Sequence, residues 1–178
     1  MRLRTAAAAL LAAAGLAAPP SAAADSTEKA TDVLRVALPA AAFALTVRRD
    51  DVEGRRQLFR AFGANVLATW ALKEAFDKRR PDGTGDDAFP SGHASMAFQG
   101  AAFMHRRYGI RPAWPAYTAA AFAAWGRVEA DEHDAADVLA GAALGVASSF
   151  LFAKRRDVTV TAYGNEEGGA VGLTWLLR

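Results

Sequence analysis

Three short clusters in this chain concentrate side chains that can hold and transform a phosphate. In the first, Lys73 precedes Arg80-Pro81 by seven residues. Residues seven apart on a helix share nearly one face, so both cations can point at one spot. Pro81 turns Arg80 out of helical geometry, which suits a side chain released into a loop. The second cluster is Phe89-Pro90-Ser91-Gly92-His93, set directly before an apolar helix. A helix N-terminus presents unpaired N–H groups and the positive dipole end to an anion. Gly92 permits close backbone approach, Ser91 brings a hydroxyl, and His93 can donate a proton. The third cluster is Arg127, His133 and Asp137. His133 and Asp137 stand one helical turn apart, so the carboxylate can hold the ring nitrogen that does not react and stabilise positive charge on the other.

Each cluster alone also has a plainer reading. Lys73 can pair with Asp77 one turn on, Ser91 can be an ordinary helix cap, and His133 with Asp137 can be a surface pair. A sharper rival lies in the third region, where Glu129, Asp131, His133, Asp134 and Asp137 form an acidic and imidazole group of the kind that binds a divalent metal. That rival leaves Lys73, Arg80 and Arg127 unexplained. Cations gathered with two histidines fit an anionic phosphate better, so no metal is assigned.

In this order and at this spacing, Lys-x6-Arg-Pro, Pro-Ser-Gly-His and Arg-x5-His-x3-Asp resemble the three-part signature of the type 2 phosphatidic acid phosphatase and vanadium haloperoxidase superfamily. The resemblance covers about residues 34–152. It implies a helical bundle with the three parts meeting in one pocket, and a phosphatase that needs no metal or other cofactor and passes through a phosphohistidine. By position, His133 is then the nucleophile, Asp137 its orienting acid, and His93 the proton donor to the leaving group. Lys73, Arg80, Ser91, Gly92 and Arg127 would bind the phosphate oxygens. Gly126 departs from the family pattern, which has Ser before this Arg. Within the superfamily the alternative is a vanadate-dependent haloperoxidase; outside it, a non-catalytic helical binding protein.

The elements that must position these residues read as helices. Ala-rich apolar segments run over residues 33–47, 58–76, 94–107, 113–125 and 137–153, each bounded by charge, Gly or Pro. The fold class is therefore all-α, a compact bundle of about five core helices. Residues 80–90 form the main loop. Beyond residue 156, two β-type runs, 158–161 and 171–175, flank a turn-rich segment and predict a short C-terminal β-hairpin packed on the bundle. An Ala-rich helix core explains Gly141-x3-Gly145 as well as a close helix-packing motif does, and core and rim packing explains the four tryptophans better than an interfacial belt.

Residues 1–24 read as a signal peptide: Arg2 and Arg4, an apolar stretch from Ala6 to Ala18, and Ala22-Ala23-Ala24 before Asp25. That makes residues 25–156 the helical phosphatase domain and 157–178 a tail, with the protein exported to the periplasm or the periplasmic face of the membrane. With 178 residues and a formal charge of +2, the chain is long enough for a real core and too evenly charged for a nucleic-acid partner. It has no cysteine, which removes disulfides and thiolate chemistry. At a mean hydropathy of +0.04, it reads as a compact bundle at the membrane surface, with short spans as the alternative, its partner a phosphorylated lipid or small phosphomonoester.

Overall fold

The structure, a computed structural model, describes residues 21–165 and 168–176, with side chains described for 26–156. The leader reading lies outside the described residues as far as residue 20. Five helices follow one another: α1 (Ser21–Arg48), α2 (Val52–Ala75), α3 (Gly92–Tyr108), α4 (Ile110–Glu129) and α5 (Ala135–Phe152). The all-α expectation holds. The hairpin follows as β1 (Asp157–Asn165) and β2 (Gly168–Leu176), antiparallel from Asp157↔Leu176 to Asn165↔Gly168. Its packing on the bundle rests on side chains outside the described ones.

The core is built from small residues, so the helices approach closely. Gly141 and Gly145 of α5 lie against α3: a Cβ on either would fall 2.3 Å from the carbonyl oxygen of Ser91 or Ser95. The Gly-x3-Gly spacing is thus used for a backbone-to-backbone contact, beyond what an Ala-rich helix core alone requires. Ala97, Ala101 and Phe103 of α3 and Ala120 and Ala123 of α4 belong to one buried hydrophobic cluster. Thr69, Ser95 and Asn65 add a buried hydrogen-bonded link between α2 and α3, at 2.8 and 2.9 Å.

Three expectations need correction. The first helix begins well before residue 33, because the polar stretch 26–32 packs its Thr31 against α4 rather than lying in solvent. α2 ends at Ala75, capped by an extended Phe76 that packs on Phe89 with ring centroids 5.3 Å apart. Arg80 is therefore off the helix, and helical spacing is not what brings it near Lys73. Trp70 and Trp114 are each 61% exposed, so core packing does not explain them. Among the described residues, two helices are long and apolar enough to cross a membrane, Ser26–Arg48 and Ala135–Phe152, with only 22% and 33% of their most apolar 18-residue windows buried.

Because the helices alternate in direction, the bundle has two distinct ends. One gathers the C-terminus of α2, the N-terminus of α3, the C-terminus of α4 and the N-terminus of α5. All three sequence clusters fall there.

Candidate active site

The segment between α2 and α3 folds back on itself and onto the α4–α5 connection. Arg80 N–H donates to Gly85 O at 2.7 Å, Ala88 N–H to Lys78 O at 2.9 Å, and Asp82 N–H to Asp131 O at 2.9 Å. Ser91 N–H donates to Asp137 O at 2.9 Å, tying the start of α3 to α5. This folding, rather than helical phase, brings Arg80 to Lys73: both cations engage Asp87. Lys73 Nζ donates to the Asp87 backbone carbonyl and lies 3.6 Å from its carboxylate, while Arg80 Nε donates to Oδ1 at 2.8 Å. Lys73 does not pair with Asp77.

Glu132 forms the second junction. Its Oε2 accepts from Arg80 Nη1 at 3.0 Å and from Arg127 Nη2. Arg127 is 4% exposed, and its Nε and Nη1 have no hydrogen-bond partner; the nearest acid, Asp32 Oδ1, is 3.7 Å from Nη1. Buried guanidinium N–H groups left unbonded are costly unless a ligand takes them. Lys73, Arg80 and Arg127 are thus brought together.

His133 is buried, and its Nδ1 sits 2.8 Å from Ala88 O. A carbonyl only accepts, so Nδ1 carries the proton and Nε2 keeps its lone pair. Asp137, expected in that orienting place, stands 3.8 Å away. Its carboxylate is bound instead to Lys78 Nζ at 2.7 Å and the Asp134 N–H at 3.0 Å. Lys78 also bonds Asp134 at 2.7 Å, so these two acids are directed at an ammonium group. Among the described residues, no three His, Cys, Asp or Glu side chains are grouped to hold a metal ion.

Ser91 is buried and caps α3, its Oγ accepting from Ala94 N–H at 3.5 Å. Gly92 follows as the first helical residue, with the Lys73 side chain nearby. His93 Nε2 donates to Asp32 Oδ1 at 2.6 Å, which leaves Nδ1 to exchange a proton. Burial, helped by Arg127 and Arg35 and opposed by the Asp32 bond, pushes the His93 pKa down to about 4. Burial and the charges of Lys73 and Arg80 do the same to His133, also to about 4. Both imidazoles are therefore neutral at neutral pH.

Sequence reasoning missed Ala88, Asp32, Glu132 and Lys78. A backbone carbonyl carries no residue signature, and Asp32 lies far upstream. The glycine at 126 has a steric cause, since a Cβ there would fall 2.4 Å from Thr31 Cγ2. Ser at this position would push α1 away from α4.

Against known families, residues 57–158 match the PAP2 superfamily model. The chain belongs to the PAP2 superfamily. Among curated relatives, it is 43% identical over 79 residues to a lipid A 1-phosphatase of Porphyromonas gingivalis, a match covering 43% of this chain and 18% of that protein. It is 31% identical over 141 residues to a lipid A 4'-phosphatase of Helicobacter pylori, covering 72% of this chain and 70% of the relative. The solved structure of a transmembrane PAP2 type phosphatidylglycerolphosphate phosphatase from Bacillus subtilis aligns with a TM-score of 0.45 and 21% identity, over 81% of this chain and 89% of that one.

Proposed function

We propose that this chain is a phosphatase that removes phosphate from a lipid phosphomonoester through a phosphohistidine on His133. The observation that carries this reading is a buried Arg127 with two unbonded N–H-bearing nitrogens, in one cluster with Arg80 and Lys73 and beside a neutral, tautomer-fixed His133. The relatives' names supply the lipid.

In the first step, the Nε2 lone pair of His133 bonds to phosphorus and the P–O bond to the alcohol breaks. His93 gives its proton to the departing alkoxide. Water then attacks phosphorus, the P–N bond breaks, inorganic phosphate forms, and the water's proton returns to His93. The three cations neutralise charge on the phosphoryl oxygens throughout, the task a metal performs elsewhere. His93 is neutral at neutral pH, and a phosphate dianion against Arg127 raises its proton affinity, so the proton arrives with the substrate.

The two apolar helices support membrane association, and charge supports an orientation. At the end away from the site, segments 48–56, 106–111 and 154–156 carry ten Lys and Arg against three acids. At the site end, segments 73–87 and 127–137 carry five against ten. Basic residues favour the cytoplasmic side, which supports a site on the outer, periplasmic face. Exposed Trp70 and Trp114 sit towards opposite ends, where interfacial aromatics belong.

Phosphate release by the purified full-length chain from lipid and soluble phosphomonoesters, with and without EDTA, tests the activity. Turnover that survives chelation is expected. Loss with EDTA and rescue by a divalent ion would overturn the metal-free mechanism. Bromide oxidation by peroxide after vanadate loading, without phosphatase activity, would favour the haloperoxidase chemistry.

A further inference from the structure

Lys78 fills one of the unspecified positions between Lys73 and Arg80, yet it holds both sides of the hydrogen bond that fixes His133. On the acceptor side, the Lys78 carbonyl takes the Ala88 N–H at 2.9 Å, and Lys78 and Asp87 pair there as a parallel bridge. Ala88 O is the group that His133 Nδ1 meets at 2.8 Å. On the donor side, Lys78 Nζ donates to Asp134 Oδ2 and to Asp137 Oδ1, each at 2.7 Å. Asp134 follows His133 directly and caps α5, so this grip anchors the chain where the imidazole leaves it. Asp137 is fully buried, and a buried carboxylate needs a cation or donors. Its Oδ2 accepts from Asp134 N–H at 3.0 Å and stands 3.8 Å from His133 Nδ1. Without the ammonium, that imidazole is a base within reach of the carboxylate.

We propose that Lys78 is a positioning residue for the nucleophile: its main chain holds Ala88 and its ammonium holds Asp137, which keeps the His133 Nδ1–H on a neutral carbonyl and off a carboxylate. The inference rests on the phosphatase reading for what the ring does, and adds what keeps the ring neutral. A carbonyl fixes the tautomer without adding charge, so Nε2 stays unprotonated. A carboxylate bonded to Nδ1 would favour the imidazolium and occupy that lone pair with a proton. The other charges that face the ring are Lys73 from α2 and Arg80 from the α2–α3 segment, both of which disfavour its protonation. Asp82, exposed on the same segment, also lies within electrostatic range. Asp137 from α5 favours protonation, and Lys78 is what diverts it.

The test reads the ring directly, by imidazole NMR titration of the full-length chain in detergent micelles, with His133 assigned through His133→Gln. Lys78→Met removes the ammonium and keeps an unbranched side chain. The His133 pKa should then rise from about 4 to about 5 or above, as Asp137 takes the Nδ1–H. The acid limb of kcat/KM on nitrophenyl phosphate should rise with it. Lys78→Arg can still bridge both acids and should keep the wild-type titration. In Lys78→Met/Asp137→Asn no carboxylate is left to move, so the titration should return to the wild-type range. Asp137→Asn alone, a measurement that stands should Lys78→Met not fold, should shift the titration by less than about one pH unit, because Lys78 already holds that carboxylate. An unmoved titration in folded Lys78→Met, or a fall of about one pH unit or more in Asp137→Asn, would overturn the proposal. If the wild-type chain releases phosphate from no phosphomonoester while the titrations move as stated, the phosphatase reading fails and the positioning of His133 by Lys78 stands.

Discussion

Two buried arginines, one at each end of the bundle, show how the same side chain can hold a fold together or wait for a ligand. Arg107, 1% exposed, spends its donors on the protein. Two of them grip Asp51 at 2.7 and 2.8 Å, and a third reaches Lys154 O at 3.0 Å. Asp51 in turn accepts from Tyr108 Oη at 2.8 Å and caps α2 through Gly54 N–H at 2.9 Å. That closed network ties the α1–α2 turn, the end of α3 and the segment after α5. Against burial, which raises it, these bonds hold the Asp51 pKa down to about 2. Arg127 is as deeply buried but leaves Nε and Nη1 unbonded. A saturated guanidinium belongs to the scaffold; an unsaturated one has binding capacity in reserve.

The largest effect should come from the group the second arginine serves. His133→Ala removes the attacking atom, so turnover should fall on the order of 10⁶-fold with no trapped phosphoenzyme. Acid-labile phosphohistidine in that variant, caught by rapid quench, would show the nucleophile lies elsewhere. His93→Ala should lose ~10²–10⁴-fold on alkyl phosphates and much less on nitrophenyl phosphate, whose leaving group needs little protonation.

The arginines themselves should separate stability from catalysis. Arg107→Ala strands a buried Asp51 and should destabilise the chain by about 3–5 kcal/mol while the folded fraction keeps its turnover. Arg127→Ala should cost roughly 10²–10³-fold in kcat with little change in melting temperature. Thermal unfolding and turnover per folded molecule decide both. A stable, inactive Arg107→Ala or an unfolded Arg127→Ala would erase the distinction.

Acid should weaken the site end first. Both imidazoles have native pKa values of about 4, below the ordinary 6.5, so between those values the unfolded chain binds protons that the native chain refuses. Stability should therefore fall as pH drops from 6.5 towards 4. The Asp51 contribution persists until pH passes below 3.8 towards 2. Melting temperatures of the wild type and a His93→Gln/His133→Gln variant should converge as pH falls from 6.5 to 4; parallel curves would contradict the assignment.

These contrasts also show what could be read before folding and what could not. The three clusters were legible because each packs its chemistry into a few neighbouring residues, and helical composition was legible from long Ala-rich runs. The partners were not. Ala88 orients His133 through a carbonyl that any residue possesses, and it arrives there only because residues 76–91 fold back over α5. Asp32 sits on a polar stretch with no apolar period, helical because Thr31 packs under Gly126. Asp137 has the right spacing for an orienting acid, yet Lys78 competes for it at 2.7 Å. Local spacing limits which groups can meet; tertiary competition decides which of them do.

The smallest expected effect concerns Glu132, and it bears most directly on why Arg127 is only partly unsatisfied. Glu132 bridges Arg80 and Arg127, occupying N–H groups that a phosphate oxygen would use. Phosphate must displace that carboxylate or share the cations with it, and either weakens ground-state binding. Glu132→Gln removes the charge while keeping size and one carbonyl acceptor. Inorganic phosphate and vanadate should then inhibit more tightly, by about tenfold if one charge-assisted contact is released to the ligand. KM should fall and kcat should fall with it, because the product now leaves more slowly. Inhibition constants for both oxyanions, measured beside kcat at one ionic strength, give the answer. Weaker inhibition in Glu132→Gln would mean that the carboxylate chiefly holds the two guanidiniums in place, making it part of the scaffold, as Asp51 is for Arg107.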